Sequence, residues 1–394
     1  MSRLLRILLR ILIGMLIFVA VLELALRLFT RDVEGHATLF GIKLLPFERL
    51  TTQHEELLRK APEEHAYIIP DATLGWTIKP SGRSVDGLYQ ADERGLRTGS
   101  VVTTTRADAM AVLLAGDSFT HGDELRFEDT WAAQLGVALG DNWRVHNAGV
   151  PGYGTDQALL RALALRTSIE SKVSVLALCR DDLLRNVNIL RSAYLHWTDM
   201  PWTKPRFALE TDGSLALLNQ PCVAPSKVAE IVRHYDASAL SALDAVYRPG
   251  FHAEPWTDAF RLLRWMRSRR EHRERHEQIL RLTQRGGEGV QVTAALLRLF
   301  IDSSRAADSA PLVVLLPQSD DIARYRSGTP TVWKPILEEL DNEDCVLDLG
   351  PALVASLAEG EDTGALFVNG TGHPNQRASM VIAREIASRI AKMR

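Results

Sequence analysis

Five short apolar runs, separated by stretches of helical spacing, constrain this chain more than any other feature. AMAVLLA begins at Ala109, and WRVHNAGV, VSVLALC, PLVVLLPQ and the weaker CVLDLG follow it. VSVLALC is apolar without alternation, as expected of a strand buried on both faces. Helix-like stretches follow the first run through Trp131 and Leu139, then run from Thr155 to about Thr167 and from Asn375 to Met393. Strands that alternate with helices make a parallel sheet with right-handed crossovers. The expected fold is therefore α/β, a three-layer sandwich around a flavodoxin-like parallel sheet.

Composition supports this class. Of 394 residues, 46% are hydrophobic and 24% charged, which excludes wholesale disorder, collagen-like and coiled-coil architectures. With 46 basic against 49 acidic side chains, the net charge of −3 argues against a nucleic-acid partner. Cys179, Cys222 and Cys345 are too few for a disulfide scaffold and lack CxxC spacing, so no metal site is read from them.

The N-terminus departs from this average. From Ile7 to Phe29 the residues are overwhelmingly apolar, long enough as a helix to cross a bilayer, although the strictly uncharged part is only Ile11 to Leu22. Arg10 and Arg27 lie near the ends and could snorkel to headgroups, whereas Glu23 needs a partner helix or the outer interface. A cleaved signal peptide is the rival reading, but no A-x-A-like site follows the run. Arg3, Arg6 and Arg10 precede the span, so the positive-inside rule puts the N-terminus in the cytoplasm. Everything after Thr30 is then outside, on the extracytoplasmic side, with membrane lipid as partner to the helix.

Three regions follow. Residues 1–30 form the anchor, and 31–105 a membrane-proximal segment with short strands and turns from Tyr67 to Thr105. Residues 106–394 form the α/β domain, interrupted at about 190–300 by a helical, Arg-rich insertion. Its stretch Arg261–Arg285 carries nine arginines against three glutamates. This is either a solvated helix face or a contact surface for anionic lipid or polysaccharide.

Three motifs carry chemistry. In GDSFT, Gly116–Thr120, a serine sits where a strand gives way to a helix, exposed at the carboxyl edge of the sheet. Read structurally, Ser118 is simply an N-cap. Read chemically, it attacks, and the helix amides stabilise negative charge. NAGVPGYGTDQ, Asn147–Gln157, ends the second strand, and its Gly149 could turn an amide toward the same cavity. His373, in GHPN before the last helix, is the candidate base for Ser118. A metal set of His121, Asp123, Asp181 and Asp182 lacks HExxH-type spacing, and no cofactor is expected.

The order GDSFT, NAGVPGYGT, a strand with an Asp pair and a late HPN resembles the SGNH (GDSL-type) hydrolases. It is most similar to the bacterial membrane-anchored members associated with cell-surface polysaccharides. The resemblance covers roughly residues 68–394, including LGWTIKP and ERGLR. It implies Ser118 as nucleophile, His373 as general base, and the amides of Ser118 and Gly149 as oxyanion donors.

Two positions depart from the family pattern. The third block normally reads Asn-Asp, with the Asn as a third oxyanion donor, but CRDDLLRN places Asp181 there. The acid three residues before the histidine is replaced by Gly370, leaving Asn369 and Thr371 nearby to hold the imidazole. The resemblance implies a serine esterase or O-acyltransferase acting on acyl esters, most plausibly acetyl, of a cell-surface glycan. The alternative is a weak or inactive domain serving as a structural or partner-binding subunit among membrane proteins.

Overall fold

The structure is a computed structural model and describes residues 3–59, 66–99, 106–195, 198–340 and 344–393. The part of the strand-and-turn segment expected at 100–105 lies outside the described residues.

All five apolar runs form strands of one seven-stranded sheet. Its strands are β1 (Gln90–Ala91), β2 (Arg97–Thr98), β3 (Met110–Ala115), β4 (Trp143–Asn147), β5 (Ser171–Cys179), β6 (Ala310–Leu316) and β7 (Val346–Asp348). They lie in the order β7-β6-β5-β3-β4-β2-β1. From β7 to β4 every pairing is parallel. The strand order and the change of direction beside β3 are those of a flavodoxin-like sheet, which opens a crevice at its carboxyl edge.

The sheet is mixed rather than purely parallel. β1 and β2 form a hairpin that joins β4 antiparallel, with Arg97 opposite Asn147. Asp92 closes the hairpin turn by accepting from the amides of Arg94 and Leu96, each at 2.9 Å. The boundary placed at residue 105 therefore runs through the sheet. The hairpin strands Ile68–Asp71 and Gly75–Ile78 also lend Trp76 and Ile78 to the main core.

Side-chain alternation builds the other two layers. Leu113, Leu176 and Val313 meet the Thr155–Leu165 and Glu288–Arg305 helices on one face, chiefly through Leu159 and Phe300. Leu114, Val175 and Val314 meet Trp131–Leu139 and Gln376–Lys392 on the other, through Trp131, Ile382 and Ile386. All of these are nearly or fully buried, and truncating such a leucine to alanine costs about 2–5 kcal/mol.

Between β5 and β6 lie about 130 residues. The insertion is less purely helical than expected, because Arg206–Leu209 and Leu215–Leu218 form an antiparallel hairpin. Its longest helix is Arg261–Thr283, and the next, Glu288–Arg305, is the one that covers the sheet.

The N-terminal run forms the helix α1, Arg3–Phe29, about 40 Å long at 1.5 Å per residue. Every side chain from Arg3 to Val21 is exposed. This helix is long and apolar enough to cross a membrane. Only its last turns touch the domain, where Leu26 packs with Leu39 and Leu44. Leu39 lies in a small antiparallel sheet built from residues 31–43, and Leu44 directly follows it.

Candidate active site

Four parallel strands deliver their loops to one cavity of about 490 Å³ at the carboxyl edge of the sheet. Ser118 follows β3, Gly152 follows β4, Asp181 and Arg185 follow β5, and Gln318 follows β6. His373 enters from the loop before the last helix. Ser118 and His373 thus share one wall, as the motifs require. They make no hydrogen bond to each other among the described residues.

Ser118 opens a single helical turn, Ser118–His121. It is not the N-cap: Asp117 is, accepting from the Phe119 amide at 2.9 Å. Capping by the preceding carboxylate frees the serine hydroxyl and leaves the Ser118 amide without a partner among the described residues. Arg97 braces the turn from below, donating to the carbonyls of His121 at 2.9 Å and Gly122 at 2.6 Å. Asn147 donates to the Thr120 carbonyl at 2.8 Å.

His121 and Asp123 belong to this bracing. They hydrogen-bond to each other, and the His121 Nε2 meets the Tyr67 hydroxyl at 2.8 Å. Burial holds the His121 imidazole below its ordinary value of 6.5, with Asp123 opposing. Asp181 and Asp182 instead gather around Arg185, so the candidate metal set is divided into two separate clusters. Among the described residues, the only close trio of ligand-type atoms is Asp117, Cys179 and Asp182. The Arg185 guanidinium already supplies the cation there, at 2.8 Å from Asp117 and 3.0 Å from Asp182.

This arginine changes the meaning of Asp181. Its carboxylate lies 3.6 Å from Arg185 Nη2 and lines the cavity, so its charge is opposed by a cation on the same wall. Burial, reinforced by Asp117, pushes Asp182 well above the usual carboxylate range, and Arg185 pulls the other way. Arg191 lies beside this cluster, donating to Thr198 Oγ1 and the Gly152 carbonyl, each at 2.9 Å. Burial and the neighbouring Arg185 lower it to about 10.

The histidine has a carboxylate partner that the sequence reading missed. Glu124 Oε2 accepts from His373 Nδ1 at 2.8 Å and from its backbone N–H at 3.0 Å. With Nδ1 donating, the neutral imidazole carries its lone pair on Nε2, the tautomer a general base needs. Glu124 is in the left-handed region at φ 68°, and its amide is held by the Tyr89 hydroxyl at 3.0 Å. A Cβ at Gly372 would come within 2.6 Å of Glu124 Oε2 and 2.8 Å of the Val368 carbonyl oxygen, so glycine is favoured for this approach. Neither Asn369 nor Asp181 hydrogen-bonds the imidazole; Asn369 occupies a left-handed turn at φ 52°.

Two glycines of the second motif behave differently. The Gly149 amide donates to Asn147 Oδ1 at 3.0 Å, and Gly149 packs so closely that a Cβ would lie 2.4 Å from the His121 nitrogen. It does not line the cavity. Gly152 does, at φ 80°, and its amide has no partner among the described residues. The cavity therefore offers a serine hydroxyl, an oriented imidazole and two uncommitted amides.

No protein-family model matches the chain, and no curated protein matches it. Among solved structures, a putative G-D-S-L family lipolytic protein from Desulfitobacterium hafniense is 12% identical, covering 71% of this chain and 98% of its own, at TM-score 0.32. Est24, a carbohydrate acetylesterase from Sinorhizobium meliloti, is 11% identical, covering 72% and 100%, also at 0.32. The psychrotrophic esterase EstA from Pseudoalteromonas is 13% identical, covering 72% and 97%, again at 0.32.

Proposed function

We propose that this protein is a membrane-anchored serine esterase or O-acyltransferase of SGNH type. The observation that carries the reading is His373 held through Nδ1 by Glu124 in the cavity that Ser118 and Gly152 also line. Ser118 Oγ attacks the acyl carbonyl carbon while His373 Nε2 takes its proton. The carbonyl oxygen becomes an oxyanion, stabilised by the amides of Ser118 and Gly152. Gly152 takes the donor role first assigned to Gly149, whose amide is already committed. Collapse of the intermediate breaks the ester C–O bond, and the imidazolium returns its proton to the leaving alcohol. Water then completes hydrolysis, or a sugar hydroxyl completes transfer.

The substrate proposed is an acyl, most plausibly acetyl, ester of a cell-surface glycan. The open, polar cavity suits a sugar better than a long acyl chain. Helix α1 is proposed to span the inner membrane with the N-terminus in the cytoplasm and the domain in the periplasm. The test is hydrolysis of a short aryl acetate together with fluorophosphonate labelling, in wild type and Ser118→Ala. Labelling of the wild type alone supports the reading; equal labelling or equal turnover in the variant sinks it.

A second reading, a binding subunit without turnover, is favoured by Asp181. Its carboxylate lines the cavity where a neutral donor would serve the oxyanion. Absent turnover with Ser118 unlabelled would select it.

A further inference from the structure

The last turns of α1 are clasped by the insertion. Glu23 Oε2 accepts from the Arg261 amide at 2.6 Å, and Arg27 donates to the Ala259 carbonyl at 2.9 Å. Glu23 and Arg27 also pair with each other at 2.6 Å. Glu23, an awkward residue within an apolar run, thereby satisfies the first amide of the Arg261–Thr283 helix, here α2. Glu23 lies six residues from the end of α1 at Phe29, about 9 Å along its axis. The chain around residues 256–266 is therefore fixed beside the end of the apolar helix.

What that segment exposes is unusual for a surface bathed by water alone. Trp256 is 79% exposed, Met266 54%, Phe260 43% and Leu263 42%. Trp256 and Phe260 meet edge to face, with ring centres 6.4 Å apart. Leu263 and Met266 line an open, largely apolar groove of about 710 Å³ against Ala253 and Pro255, together with Arg267, Arg270, Arg273 and Glu271. Single exposed apolar residues need no explanation, but a contiguous patch does. The surrounding helix carries the arginine excess already noted in the sequence.

We propose that Trp256–Met266 is a membrane-surface contact whose partner is the bilayer itself. Trp256, Phe260, Leu263 and Met266 enter the boundary between headgroups and acyl chains, and α2 arginines reach the phosphates of anionic lipids. The partner follows from continuity: the clasp on Glu23 and Arg27 sets this patch at the level where α1 leaves the membrane. The inference rests on the proposal that α1 spans the bilayer and is independent of catalysis. With both contacts made, the domain has two fixed points on the membrane and cannot swivel about a single helix.

The test places single labels on the full chain in vesicles of phosphatidylethanolamine and phosphatidylglycerol. The native cysteines are all buried, so a thiol-reactive fluorophore reports added positions. Phe18→Cys marks the span, Trp256→Cys and Met266→Cys mark the patch, and Val85→Cys, at a residue 93% exposed, marks water. Lipids brominated on the acyl chain should quench the first three labels several-fold more than the fourth, and aqueous iodide the reverse. Quenching at Phe18 without quenching at 256 and 266 overturns the membrane contact and leaves the span intact. Shielding of 256 and 266 from both quenchers means a protein covers the patch, which also overturns it. Iodide access at Phe18 would reject the span itself.

Discussion

Ser118 stands on a buried turn braced by several neighbours, whereas the His373 side chain is oriented by one half-exposed carboxylate. On the serine side, Asp117 caps the turn and pairs with Arg185, both buried. Arg185 also meets Asp182 and donates to the Tyr153 carbonyl at 3.0 Å. On the histidine side, the Glu124 side chain is 40% exposed and the imidazole 23%. Buried charges are costly to leave unpaired, while exposed pairs contribute little to stability. One side of the cavity is thus bound up with folding, and the other chiefly with orientation.

The largest expected effect is chemical. Ser118→Ala should abolish turnover on short acyl esters, and adding His373→Ala should cost little more, because the two act as one unit. Assays of both single variants and the double variant check this; additive losses would separate the pair.

Arg185→Leu should then destabilise the fold by about 3–5 kcal/mol, since Asp117 and Asp182 would face each other buried without their cation. Urea unfolding reads this directly. Glu124→Gln should do the opposite, leaving the unfolding midpoint nearly unchanged while lowering kcat by roughly ten- to ten-thousandfold through the wrong imidazole tautomer. A Glu124→Gln variant that unfolds like Arg185→Leu would erase the contrast between the two sides.

Asp181→Asn should raise kcat by about tenfold or more with little change in KM, because it turns an acceptor into a donor for the oxyanion. Glu124 already holds the histidine, so Asp181 is free of that duty. A fall in kcat would show that its pairing with Arg185 matters more than the lost donor.

The smallest effect is acid sensitivity of β4, beside the serine turn. Burial, with Arg94 and Arg144 nearby, lowers His146 from 6.5 to about 4. The folded state then binds fewer protons than the unfolded chain between those values. Its stability contribution is present above pH ~6.5 and is lost as the pH falls toward 4. The drop in Tm from pH 7 to 5 should be smaller in His146→Gln; an equal drop would place the sensitivity elsewhere.

The sheet was legible in the sequence because each buried strand is a local apolar run, and Ser118 and His373 because their motifs fall at strand and helix ends. Glu124 was not, since its bond to His373 spans 249 residues of chain and no spacing rule announces it. Gly149 and Gly152 lie in one motif and look alike. What distinguishes them is the direction of the Asn147 side chain, which only the folded turn sets. The hairpin of β1 and β2 was read as a separate segment because two-residue strands carry almost no periodicity. Asp181 reads as a bare negative charge in the sequence because its opposing cation, Arg185, meets it only once the helical turn after β5 has formed.

Glu124 and Ser118 lie on the same short stretch of backbone, seven residues from end to end. Glu124 ties that stretch to His373 through two hydrogen bonds to a single oxygen. The place of the His373 imidazole relative to Ser118 is therefore set by a local linkage as well as by the register of distant strands.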